Sequence, residues 1–253
     1  MSPSDVVAME RRGRVLIISM RREEKRNAID RAMADGLDEA FNTLEDDSEI
    51  WAGVLTGTAT VFSAGSDFKA KGDYVTPRGG EYGIIRRERT KPLIAAVEGA
   101  ALGGGMELAL VCDLIVAAQN AQFGLPEVTR GVVPTCGALF RALRALPANV
   151  AHELLLTGES ISTDRAHSAG FVNRVCEPGR AREEAINVAT RIANNAPLSV
   201  QACMVAIKQL EAKDDPDGWS ATTNAHAVVA ESADLREGIA AFFERRAPIW
   251  TRT

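Results

Sequence analysis

The chain has 253 residues and a formal net charge of −5, with 46% apolar and 25% charged residues. That composition excludes fibrous and disordered classes, and a chain of this length buries enough surface to form a core without staples. The mild acidity gives no electrostatic reason for a nucleic-acid or anionic-membrane partner, and no apolar run is long and charge-free enough to span a bilayer.

The first strand signals fall at 6–10 and 14–20, on either side of a charged turn at Gly13. Asp30 then precedes a helical pattern over 31–44, with Met33, Leu37, Ala40, Phe41 and Leu44 at three- and four-residue spacing. Residues 51–56 form a buried-strand pattern. The polar, charged stretch 71–90, which contains Gly79-Gly80, is expected to be a mobile surface loop with one short helix. Strands are expected again at 92–97 and 114–118. Helices follow at 136–146, 150–157, 164–169 and 180–193, with a last strand at 171–175. Beyond Pro197 only helical patterns remain, 199–211 and 221–245. Strands interleaved with helices and then a helical tail give an α/β class, divided into a core over 1–196 and a helical region over 197–253.

Several chemistries lose their basis. Cys112, Cys136, Cys176 and Cys203 form no C-x-x-C, and His152, His167 and His226 have no ligand spacing. The expectation is free thiols in a reducing cytoplasm and no metal site. Residues 1–12 carry Asp5 and Glu10 and show no secretory pattern. Nucleophile-elbow, Walker and dinucleotide-fingerprint patterns are absent.

Between Gly99 and Ala118 only Glu107 and Asp113 are charged. The pattern after Gly105 is apolar on every face, which places Glu107 on a buried helix. Such a carboxylate is either satisfied by a partner or a general acid or base with a raised pKa. Gly103-Gly104-Gly105, between strand and helix, is either a tight turn or an array of bare N–H groups at the positive helix end. The small residues of 61–70 leave room for a ligand at the backbone, with the Ser66 N–H as a second donor. Glu127, after Gly124-Leu-Pro126, reads as a surface carboxylate at a helix start. Asp113 reads as a structural acceptor, Cys112 and Cys136 as packing residues, and Arg86-Arg-Glu-Arg89 as a solvated face. Phe242 and Phe243 are expected to pack under the core or against a neighbouring subunit.

Phe62-Ser-Ala-Gly-Ser-Asp-Phe-Lys69, Ile94-Ala-Ala-Val-Glu-Gly-Ala-Ala-Leu-Gly-Gly-Gly-Met-Glu-Leu108 and Phe123-Gly-Leu-Pro-Glu127 occur in this order. Together they resemble the crotonase (enoyl-CoA hydratase/isomerase) superfamily almost end to end. The end of the chain, Glu244-Arg-Arg-Ala-Pro-Ile-Trp250, adds a likeness to carnitinyl-CoA dehydratases. The resemblance implies a spiral core of repeated β-β-α units, a C-terminal helical trimerisation region, and trimers that often pair into hexamers. It implies an enoyl-CoA hydratase whose acyl-CoA thioester is the substrate, with no separate cofactor. By position, the backbone N–H groups of Ser66 and Gly104 hold the thioester oxygen, and Glu107 and Glu127 hold a water. Asn27, Ala28, Ala64, Asp67, Phe68 and Lys69 match the positions that meet CoA. The chain departs from the commonest hydratase pattern at Ser66, where Ala is usual, at Glu98, where Asn is common, and over 135–140. Another crotonase-type dehydratase or isomerase, or a non-catalytic acyl-CoA binder, are the alternatives.

Overall fold

Apolar runs too continuous for a half-exposed sheet assign most strands of this protein to a buried, largely parallel one. The computed structural model describes residues 3–70 and 74–251. The first elements are a helical turn α1 (Pro3–Val6), β1 (Val7–Arg12), β2 (Val15–Met20), α2 (Arg31–Asp46), β3 (Ala52–Thr56) and β4 (Val61–Ser63). A small hairpin, β5 (Val75–Thr76) and β6 (Gly80–Glu81), precedes β7 (Leu93–Val97), β8 (Ala100–Leu102) and α3 (Gly104–Leu110). Then come β9 (Leu114–Ala118), β10 (Gln122–Gly124), α4 (Ala138–Ala145), α5 (Ala148–Thr157), β11 (Ser160–Ser162), α6 (Thr163–Ser168) and β12 (Arg174–Cys176). The chain ends in α7 (Ala181–Ala193), α8 (Pro197–Glu211), α9 (Asp215–Ala230) and α10 (Ala233–Glu244).

One sheet has the order β1-β2-β3-β7-β9-β12 and the other β11-β10-β8-β4. The pairs β3/β4, β7/β8 and β9/β10 each send their first strand to the larger sheet and their second to the smaller. That repetition matches the spiral of repeated units that the resemblance implies. Ile17, Val54, Ile94 and Val116 on one face of the large sheet pack under α7. On its other face Leu55, Ala95 and Ile115 join Leu37, Phe41 and Leu44 of α2 in the main core. Asp30 caps α2 by accepting from the Met33 N–H at 3.0 Å.

Three expectations change. The strand expected at 171–175 forms only at Arg174–Cys176, because Phe171 instead packs edge-on against Phe123, 5.3 Å away. The pattern over 221–245 is two helices, broken where the Ser232 hydroxyl caps the Leu235 N–H. The third change concerns 71–90, of which Lys71, Gly72 and Asp73 lie outside the described residues. The remainder is a pinned arch rather than a surface loop with a helix. Tyr82, Ile84 and Ile85 are buried in the core, and residues alternate inward and outward through 86–89. Arg86 and Glu88 are exposed, whereas the buried Arg87 bonds Asp38 at 2.5 Å and Asn42 at 2.8 Å. The buried Arg89 forks onto Asp113 at 2.8 and 2.9 Å. The expected solvated face is half interior because carboxylates elsewhere in the chain receive its alternate residues. Asp113 also accepts from the Leu93 N–H and meets Lys208, so its role is structural as expected.

Removing one partner of a buried ion pair strands the other charge. Asp38→Ala deprives both Arg87 and Thr76 of an acceptor. A urea melt should show a loss of about 3 kcal/mol, against a few tenths for Asp46→Ala, whose ion pair with Arg78 is exposed.

Candidate active site

The site begins where β8 ends. Gly103 has φ +55° and ψ −124°, a conformation closed to most side chains, and it turns the chain into α3. On the facing side, the Ile29 N–H donates to the Gly65 oxygen at 2.8 Å and the Asp67 N–H to the Ile29 oxygen at 2.9 Å. This pairing leaves the intervening Ser66 N–H turned away from that ladder. A Cβ on Gly65 would stand 2.7 Å from the Gly104 nitrogen, so the two backbone segments touch. Among the described residues neither the Ser66 N–H nor the Gly104 N–H has a backbone acceptor. Two bare donors in contact segments, one at a helix N-terminus, are arranged as a developing oxyanion would need.

Buried polar groups hold the Ser66 segment in place. The Asn27 side chain, fully buried, donates to the Val61 and Phe62 oxygens at 3.1 and 3.0 Å and accepts from the Arg22 N–H at 2.8 Å. Arg22 bonds the Ala28 oxygen, Asp67 and Asp30. The Ala64 N–H donates to the Arg26 oxygen. The side chains of Asn27 and Asp67 are therefore spent inside the protein, and any ligand contact there falls to backbone. Phe68 and Lys69 lie against the end of α10: Phe68 packs edge-on against Phe242 at 5.7 Å, and the Lys69 ammonium stands 5.3 Å over Phe243. The two phenylalanines, both partly exposed, thus border the site of their own chain.

Glu107 on α3 is 2% exposed. Its Oε1 accepts from the Cys136 and Ala138 N–H groups at 2.8 and 3.0 Å, which converge across Gly137 at φ +99°. Glu107 is thus satisfied by partners, as one reading expected, and it stands on the helix that opens at Gly104. The blind reading of Glu127 is corrected. The turn Pro126–Arg130 brings Glu127 to the glycine turn before α3, where a Cβ on Gly103 would lie 3.1 Å from Glu127 Oε1. Glu127 Oε2 is sealed from solvent with no partner among the described residues. Burial pushes both carboxyls above the usual carboxylate range. The two amides and Arg141 oppose the shift in Glu107, whereas the charge of Glu107 raises Glu127 further. The pair therefore favours one shared proton near neutrality.

Tyr82 completes the site and carries no sequence motif beyond the glycines around it. It is 3% exposed with φ +57°, and its hydroxyl lies 2.5 Å from Ser66 Oγ. A Cβ on Gly104 would come within 2.6 Å of that hydroxyl. Burial pushes the Tyr82 phenol well up, so it stays neutral. Glu98 stands apart, buried and accepting from the Ala181 N–H at the start of α7. Burial also pushes the Cys112 thiol up to about 12 and the Cys136 thiol well up, in keeping with packing roles.

A carboxyl with a raised folded-state pKa binds its proton more tightly folded than unfolded. Its contribution is whole below the ordinary 4.5 and is lost as pH rises through the folded value. Glu127→Gln has no such loss. Its Tm relative to the unmodified protein should therefore increase as pH rises from 4.5 through neutrality, read by thermal melts across pH.

The enoyl-CoA hydratase/isomerase family model matches residues 10–253. A 2,3-dehydroadipyl-CoA hydratase of Escherichia coli K12 is 35% identical over 95% of this chain and 96% of its own length. A carnitinyl-CoA dehydratase of Salmonella typhi is 36% identical over 98% of both chains. The structure of a carnitinyl-CoA dehydratase from Mycobacterium avium 104 superposes with a TM-score of 0.91 at 41% identity, covering 97% of this chain and 98% of its own.

Proposed function

We propose that this chain, a hydro-lyase that belongs to the enoyl-CoA hydratase/isomerase family, adds water reversibly to a trans-2-enoyl-CoA to give the 3-hydroxyacyl-CoA. The observation that carries this reading is the buried glutamate pair beside two bare N–H groups. The Ser66 and Gly104 N–H groups receive the thioester oxygen and draw electron density from the 2,3 double bond. A water held between the carboxyls gives its proton to Glu107 while its oxygen bonds C3. The π electrons move to the thioester oxygen, and C2 of the enolate takes the proton of Glu127. The pair ends as it began, with one proton, and the reverse sequence is dehydration.

The surroundings support this division of roles. Two backbone amides on Glu107 Oε1 favour its charged form, as a base requires. The partnerless Oε2 of Glu127 favours the protonated form, as a donor requires. An isomerase needs one carboxylate to move a proton, and a second buried at such cost supports hydration.

The CoA moiety arrives as part of the substrate, and the seam of Ala28, Ala64, Ser66, Asp67, Phe68 and Lys69 is its track in this reading. Leu198, Leu210, Val228 and Ile249, all exposed on the helical end of the chain, support self-association as a trimer or a pair of trimers. No helix among the described residues is long and apolar enough to cross a membrane, and the free thiols suit a cytoplasmic site.

Loss of the conjugated-thioester absorbance of crotonyl-CoA measures the reaction directly. Glu107→Gln and Glu127→Gln should each lower kcat by about 10³-fold. Gly104→Ala, whose methyl meets the Tyr82 hydroxyl, should lower it by roughly 10²–10³-fold. Unimpaired hydration in both glutamine variants would sink the assignment.

A further inference from the structure

Beside the oxyanion seat a cavity of about 540 Å³ opens, with Ser66 and Tyr82 in its wall together with Glu81, Arg86, Trp219 and His226. Its size suits a small-molecule group, and among apolar walls such as Tyr74, Val75 and Cys136 it presents polar groups that an alkyl chain would leave unused. The Ser66–Tyr82 hydroxyl pair stands on one side, and Thr135 and Thr223 add further hydroxyls. An unadorned alkyl chain would strip water from these groups and return no hydrogen bond, which is costly.

Arg86 shows what the cavity is short of. Its guanidinium carbon stands over the Trp219 ring, 3.7 Å from the ring centre. Its Nε donates to both oxygens of Glu81, at 3.1 and 3.0 Å. Glu81 is thereby served and oriented inside the protein, and it offers little to a ligand cation. The two terminal nitrogens of Arg86 have no acceptor among the described residues. A guanidinium held by stacking and by one edge, with its end-on fork open, is arranged for a planar anion such as a carboxylate. The arch around it is fixed: Arg87 is tied to Asp38, and the Arg86 N–H donates to the Gly79 oxygen at 3.0 Å. Little conformational freedom remains to be lost when a ligand arrives.

We propose that this cavity is the acyl subsite and that it takes an acyl group ending in a carboxylate, received by the open fork of Arg86 on the face of Trp219. Tyr82 lines the passage from the thioester to that fork. The proposal rests on the preceding reading for the position of the thioester, and it names the acyl class that the reading left open.

The test uses calorimetric binding of unreactive, saturated six-carbon acyl-CoA thioesters to the full chain, so that turnover is not needed. The probes end in a methyl, a hydroxyl or a carboxylate. The carboxylate-ended thioester should bind at least about tenfold more tightly than the methyl-ended one, the range expected for a hydrogen bond to a charged group. Arg86→Gln should bring the two affinities together, and Arg86→Lys, which keeps the charge without the fork, should give an intermediate ratio. Equal or tighter binding of the methyl-ended probe overturns the proposal. So does a hydroxyl-ended probe that matches the carboxylate, or a ratio that Arg86→Gln leaves unmoved. Hydration of crotonyl-CoA and of a carboxylate-ended trans-2-enoyl-CoA is assayed in parallel, so that turnover of either reports on the reaction apart from acyl preference. Carboxylate preference without hydration would sink the hydratase reading and spare the subsite, and hydration without preference would do the reverse.

Discussion

Glu107 and Glu127 are buried close enough for the charge of one to raise the pKa of the other, and the surrounding structure is organised by what that proximity demands. Two ionised carboxylates there would repel in a low-dielectric space. One is relieved by the converging amides of Cys136 and Ala138 and by Arg141, and the other is left with an oxygen that finds no partner. The asymmetry leaves one carboxyl favouring its charged form and the other its protonated form, the division that the proposed hydration needs. It also destabilises the fold above the ordinary carboxylate range, a cost accepted at the site and offset by the core around it.

The oxyanion seat depends on closeness of backbone rather than on side chains. Gly65 meets the Gly104 nitrogen, and Gly104 meets the Tyr82 hydroxyl, at separations that a methyl group would violate. Asn27 and Arg22, buried and bonded to backbone and carboxylate partners, keep the Ser66 segment at that distance. Their distance from the chemistry along the chain hides their part in it. Side chains such as these are positioning elements, and in the proposed reaction the backbone they position makes the ligand contact.

Relatives that match this chain end to end at similar identity bear the names of a dehydroadipyl-CoA hydratase and a carnitinyl-CoA dehydratase. Proteins similar to this chain over their whole length are thus named for different acyl groups, which points to selection by walls that differ. In this chain those walls are the arch of residues 74–90 and the facing side of α9. The arch is rigid because Arg87 and Arg89 anchor in Asp38 and Asp113. It thereby fixes Tyr82 and Arg86, its neighbours in sequence, at the cavity.

Apart from the three-residue strands of the smaller sheet, which it did not reveal, the sequence by itself determined the strands of the larger sheet, most helices, the Asp30 cap, the buried helix of Glu107 and the glycine turn before it. These follow from local periodicity and from residues whose backbone needs are visible at short range. The quoted motifs also sufficed to identify the family. Tertiary structure decided the rest. Glu127, a plausible surface carboxylate in its own segment, became a buried acid only when Gly103, twenty-four residues earlier, came to lie beside its Oε1. The 86–89 run looked solvated because its charges are local, whereas Asp38 and Asp113, which draw half of it inside, are remote in the chain. Tyr82, Arg86 and Trp219 carry no signal as a set, since nothing short-range ties a residue of the arch to one on α9. Periodicity reports which face of an element is covered. It does not report by what, and the identity of that cover, which depends on contacts between remote segments, decides proton affinity and acyl fit.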